Sequence, residues 1–237
     1  MIMSNIAFSH YQYATGFIGE CDRNFPSNLY AWDKAPLTLH DDSSYFGFVQ
    51  EGTAIVRDIE GNHYNLRAGM YFSLHSYVFV EGGKGIIVER EKHKCLNAVG
   101  GAVESEGRLK YIDGCTDTLL VSPVKMGDPC LNLLYFPADI DQTEHTHPSD
   151  RIGVIYSGRG QCVTNGGDEV IELEAGMIFR IHADGHHKFR TPYGEGMRVI
   201  AYHPDSDFGP TDESHPMINR TIVDGKSASD IESIRTK

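Results

Sequence analysis

The chain has 237 residues, enough for one large β domain or two small ones of about 100 residues each. Hydrophobic residues at 40% and charged residues at 23% fit an ordinary globular protein and exclude disordered and fibrous classes. A formal net charge of -12 repels phosphate backbones and anionic headgroups, which excludes nucleic acid and membrane surfaces as partners and leaves small molecules and other proteins.

The N-terminus, MIMSNIAFSHYQYATGFIGE, lacks a basic region followed by a long apolar run, and no 18-residue apolar window occurs. A soluble, cytoplasmic protein is expected. Short runs rich in Val, Ile, Phe and Tyr then alternate with turn clusters: YFGFVQ, AIVRD, GMYFSL and GIIVER, and later LNLLYF, RIGVIYS, MIFRIH and MRVIAYH. This is the pattern of an all-β sandwich or barrel. The polar, glycine-punctuated stretch Asn97–Gly107 reads as a boundary, which divides the chain into units 1–105 and 106–237. Residues 203–220 form a long loop that could cover a barrel mouth, and SASDIESIRTK suggests a short helix. Five cysteines (Cys21, Cys95, Cys115, Cys130, Cys162), odd in number and without a CxxC, are expected to be reduced and buried.

The two halves repeat each other. Residues 68–75 read AGMYFSLH and residues 175–182 read AGMIFRIH, with YFGFVQEG and RIGVIYSG about the same distance upstream. Each copy then holds a strand, a glycine turn, a strand, an Ala-Gly corner and another strand.

Within the second copy, His145 and His147 stand at i and i+2, so an extended chain aims both imidazoles to one side. Forty residues on, His187 supplies a third. Three neutral imidazoles suit one divalent transition metal (Fe, Mn, Zn, Ni or Cu) and leave coordination positions open.

These residues resemble the cupin superfamily, whose first motif runs glycine, HxH, three or four residues, Glu, glycine, and whose second ends in His after an Ala-Gly corner. His145 and His147 match the first pair, Gly158 its closing glycine, Gly176 the second motif's opening glycine and His187 its terminal histidine. The resemblance covers roughly residues 36–95 and 128–203, and implies two tandem cupin (jelly-roll) barrels. Where most metal cupins carry a glutamate ligand, Arg151 stands here, and a guanidinium has no lone pair to give. The implied site is three-histidine, similar to cupin dioxygenases that hold Fe(II). Asp150 is one residue off that position and faces the other way in a regular strand. Arg151 has two readings: a fork holding a substrate carboxylate or enolate, or a salt bridge to Asp150, Glu144 or another acidic residue.

Repeat spacing puts Leu39 and Asp41 at the places of His145 and His147, Tyr45 at that of Arg151 and Val80 near that of His187, so the first barrel is expected to be metal-free. His182 and His75 occupy one repeat position, which favours a structural role, although His182 is the candidate general base. His186 is expected to point away from the metal. Phe136, Ile155, Phe179 and Phe189 are candidate walls. The expected function is an Fe(II) dioxygenase of a small anionic or enolisable substrate, with Arg151 and His182 as catalytic candidates. The alternatives are a redox-neutral metal isomerase or lyase and a non-catalytic binding module. Homodimerisation through edge strands is expected.

Overall fold

The computed structural model describes residues 6–236, so Met1–Asn5 and Lys237 lie outside the described residues. The chain is all-β. The first run of strands comprises β1 (Phe8–Tyr11), β2 (Gly16–Cys21), β3 (Ser27–Asp33), β4 (Leu37–Glu51), β5 (Thr53–Arg57), β6 (His63–Arg67), β7 (Tyr71–Glu81), β8 (Lys84–Glu91) and β9 (Ala98–Gly100). After it come β10 (Leu109–Lys110), β11 (Thr116–Val121), β12 (Cys130–Phe136), β13 (Arg151–Thr164), β14 (Glu169–Glu174), β15 (Ile178–Ile181), β16 (His187–Arg190) and β17 (Met197–His203). The helix expected in the tail is instead two 3-10 turns, Ala228–Asp230 and Glu232–Ile234. No helix of the described residues is long and apolar enough to cross a membrane.

The repeat in the sequence is a repeat in hydrogen bonding. One sheet runs β2-β3-β8-β4-β7-β5-β6, and the other contains the matching path β11-β12-β17-β13-β15. The two Ala-Gly corners close identically. Gly69 N donates to Val49 O at 2.9 Å and Val49 N to Met70 O at 2.9 Å; Gly176 N donates to Ile155 O at 2.8 Å and Ile155 N to Met177 O at 2.9 Å. Both corner glycines have positive φ (+84° and +91°), a conformation that strains any residue with a Cβ. Even the register shift recurs, between Phe17 and Gly19 in β2 and between Leu119 and Val121 in β11.

The units are less separate than tandem barrels on a linker. Strand β1 pairs with β15, Phe8 opposite Ile181, so this N-terminal segment belongs to the second sheet and not to a unit 1–105. Strand β9 caps β7 in the equivalent place. The chain changes sheet between β9 and β10. Alternation sends Leu29, Phe46, Phe48, Ile86 and Val88 of the first unit against Leu131, Leu133, Ile152, Ile200 and Tyr202 of the second, in one shared core. The opposite faces of the same strands point into separate interiors. Buried Asp150 ties the halves further: its carboxylate accepts from the backbone of Asp22 (2.8 Å) and Ala183 (2.9 Å) and pairs with Arg180 Nε at 2.5 Å. All five cysteines are free and buried.

Candidate functional site

The segment holding His145 and His147 is extended without being a regular strand. A bridge pins it at His145, where His145 N donates to His187 O (2.9 Å) and His187 N to His145 O (3.0 Å), and Asp184 N donates to His147 O (2.7 Å). That bridge sets the two histidines side by side, and the i, i+2 spacing brings His147 to the same side. Ring centroids are 4.6 to 5.2 Å apart, and one ligand nitrogen from each ring lies within 4.8 Å of the others. Nδ1 of His145 donates to Thr143 O (2.8 Å) and Nδ1 of His187 to Gly185 O (2.9 Å), so both Nε2 atoms carry the lone pair. Nε2 of His187 is buried without a partner, a position that costs about 1–3 kcal/mol unless something binds there. Burial, with Arg151 second, pushes the His147 imidazole down to about 2, and burial pushes His187 down to about 4. Both are neutral donors at neutral pH. This donor set could hold one divalent transition metal.

The imidazoles open onto a cavity of about 560 Å³ inside the second barrel. Inward positions supply its walls at every second residue: Asn132, Leu134 and Phe136 on β12, Val199, Ala201 and His203 on β17. Neither a protein-family model nor a curated protein matches the chain by sequence. Solved structures do match. A Pseudomonas aeruginosa protein described as glyoxylate-induced superposes with a TM-score of 0.61 at 15% identity, over 87% of each chain. A Cupin 2 conserved barrel domain protein from Leptotrichia buccalis gives 0.56 at 12% identity, over 85% of this chain and 91% of that one. Salicylate 1,2-dioxygenase from Pseudoaminobacter salicylatoxidans, in adducts with gentisate, gives 0.56 at 10% identity, over 75% of this chain and 67% of that one. The chain folds as a double cupin. At these identities the likeness concerns the fold alone.

Within this cupin-like fold, Arg151 lies on the cavity wall, mostly buried. Its Nη1 donates to Ser149 O (3.1 Å), Ser149 Oγ (2.6 Å) and Asp150 O (3.0 Å), and lies 3.8 Å from Asp205 Oδ1. The Ser149 hydroxyl in turn donates to Asp205. Nε of Arg151 is buried and unpartnered. Both readings of this residue therefore have a footing: it is braced by Asp205 and still carries a free donor.

The structure does not bring His182 to the cavity. Its Nε2 lies 2.7 Å from Ser9 Oγ on β1, and it borders a different cleft, beside Arg180 and Asp22. His75 repeats the arrangement, with Nδ1 2.8 Å from Asn97 Oδ1 just ahead of β9. His186 is exposed. Asp150 is committed to the inter-unit contacts above. Of the candidate wall residues, Phe136, Phe179 and Phe189 line the cavity, whereas Ile155 packs in the barrel core without lining it.

Sequence reading passed over three polar lining residues. His203 ends β17 and is held well below the usual imidazole range by burial, then by Arg151 and His147. Asn132 donates through Nδ2 to Asp117 Oδ2 at 3.0 Å, and burial raises the Asp117 carboxyl to about 6. The long loop starts as expected at the mouth, where Asp205 to Phe208 line the cavity. The segment ahead of β12 braces that loop: Met126 N donates to Pro210 O and Gly127 N to Ser206 O, each at 3.0 Å.

Proposed function

We propose that this double cupin is a metal-dependent enzyme, a dioxygenase that uses Fe(II) to act on a small anionic or enolisable substrate. One observation carries the reading: three imidazoles, one with an orphaned buried Nε2, converge on a cavity that also holds an arginine with an unpaired N–H. His145, His147 and His187 would hold the metal, which supplies a Lewis acid and one-electron chemistry toward O2. Arg151 orients an anionic substrate through the donor that Ser149 and Asp205 leave free. Phe136, Phe179 and Phe189 keep bulk water from the reacting groups. The dioxygenase of like fold acts on salicylate, an aromatic carboxylate of the size such a cavity admits.

A redox-neutral isomerase or lyase is the second reading, and Asp117 favours it. A carboxyl raised to about 6 on the cavity wall can exchange a proton near neutral pH. Elemental analysis of anaerobically purified protein, followed by O2 uptake after Fe(II) loading with small hydroxy-aromatic acids, thiols and diketones, separates the two. Near one iron per chain with O2 uptake is expected. Zinc or manganese without uptake transfers the proposal to the isomerase or lyase, and absence of any bound metal ends both.

A further inference from the structure

The wall that β12 contributes to the cavity carries a polar group that the proposed chemistry leaves unused. Asn132 sits in the otherwise apolar run CLNLLYF, is only 7% exposed, and faces the cavity. Its Nδ2 is spent on Asp117, which turns Oδ1 the other way, and Oδ1 is buried without a hydrogen-bond partner. A buried carbonyl oxygen loses its water without compensation unless a donor enters the cavity to meet it.

The registers say what lies between Asn132 and Arg151. Asn132 pairs with Ala201, Ala201 with Gly153, and Arg151 is the next inward position on β13. Two interstrand spacings and one two-residue step put the two Cα atoms about 12 Å apart on a flat sheet. The inward positions between them are alanine and glycine. At Gly153 a Cβ would stand 1.9 Å from Ile200 O, so this position takes no side chain, and Ala201 beside it contributes only a methyl group to the cavity wall.

We propose that Asn132, aligned by Asp117, is a specificity-determining residue whose carboxamide oxygen accepts a hydrogen bond from a hydroxyl or amino group of the substrate. Resting on the reading that Arg151 holds the substrate's anion, this makes the substrate a hydroxy- or amino-carboxylate, with donor and carboxylate separated by a ring or a short chain. Asp117 is a positioning residue: its carboxylate accepts from Nδ2 and so fixes which end of the amide faces the cavity.

The test is isothermal titration of anaerobic, Fe(II)-loaded protein with benzoate and butyrate, and with their hydroxy, amino and methoxy derivatives. The wild type is expected to bind its best hydroxy or amino derivative about tenfold to a hundredfold more tightly than the parent acid and the methyl ether. Asn132→Leu should reduce that ratio to about one while leaving parent-acid affinity within about twofold. Asn132→Asp keeps an acceptor and should retain the preference, and Asp117→Asn, which can face Asn132 with either end of its amide, should give an intermediate ratio. Equal binding of parent and derivatives by the wild type overturns the role of Asn132 alone, as does a uniform loss for every ligand in Asn132→Leu. Failure of all the carboxylates to bind, or undiminished binding by Arg151→Met, overturns the anionic-substrate reading and this inference with it.

Discussion

The two barrels share backbone corners, strand order and even a bulge, yet among the described residues the second interior opens into a cavity and the first is a packed cluster. Equivalent positions in the ladders show why. Where His145 pairs with His187, Leu39 pairs with Val78. Ile87 stands where Ala201 stands, and Tyr30 where Asn132 stands. The space over Gly47 is filled by the Phe72 ring, 2.0 Å from where a Cβ would be, while the corresponding Gly153 has no ring among its nearest neighbours. The first interior is therefore a packed core around Trp32, Tyr45, Phe72 and Ile87. A few inward side chains decide whether this scaffold is a core or a site, because interiors packed to crystal-like density leave no room that volume alone does not create.

Exchanging the equivalents should break the comparison most visibly at the metal. His187→Ala is expected to lower bound metal at least about tenfold by elemental analysis, whereas Val78→Ala leaves it unchanged. Equal occupancy in both would mean that the three imidazoles are not the ligands. Volume comes next. Ile87→Ala should cost about 2–5 kcal/mol in urea unfolding, since a fully buried Ile leaves a cavity when truncated. The reciprocal Ala201→Ile should leave metal content intact and weaken benzoate binding by more than about tenfold through lost space. Unchanged binding would remove the ligand from the floor beside Ala201.

Much of this was legible in the sequence for definite reasons. Two copies of AGMxFxxH specify the corners, and a period of two places His145 and His147 together wherever the chain is extended. What escaped depends on contacts without local trace. Strand β1 crosses to pair with residues some 170 positions away, which no window around Phe8 can reveal. The equivalent of His187 is Val78 and not Val80, because the β4–β7 ladder shifts register between His40 and Ser44, opposite Ser76 with its φ of +64°, whereas His145–His187 and Arg151–Ile181 keep one count. Asn132 did leave a signal: a lone amide at an inward position of an apolar strand needs a partner, and that partner is not in the neighbouring sequence.

The polar wall of the second barrel should also show in its pH dependence. An acid raised to about 6 in the folded state binds its proton more tightly there than in the unfolded chain, where the value is near 4. Ionised Asp117 therefore costs stability, fully above about pH 6 and not at all below about pH 4. Asp117→Asn is expected to melt a few degrees higher than wild type at pH 7.5 and at the same temperature near pH 4. The gain is modest because the side chain is only half-buried. A constant offset across that range would assign Asp117 an ordinary carboxyl.

The smallest effect is expected where the barrels agree. His75 and His182 each hold a segment of the added edge strand, through Asn97 and Ser9 respectively, and neither side chain lines the cavity. Burial and then Arg180 lower the His182 pKa, so at neutral pH it makes an uncharged hydrogen bond to the Ser9 hydroxyl. Such a bond contributes about 0.5–1.5 kcal/mol net. His182→Ala and His75→Ala should therefore lower stability alike, by about 1 kcal/mol in urea unfolding, and leave metal content and O2 uptake within about twofold of wild type. Loss of turnover in folded, metal-loaded His182→Ala, but not in His75→Ala, would restore His182 as the general base and require the Ser9 contact to open toward the cavity during the reaction.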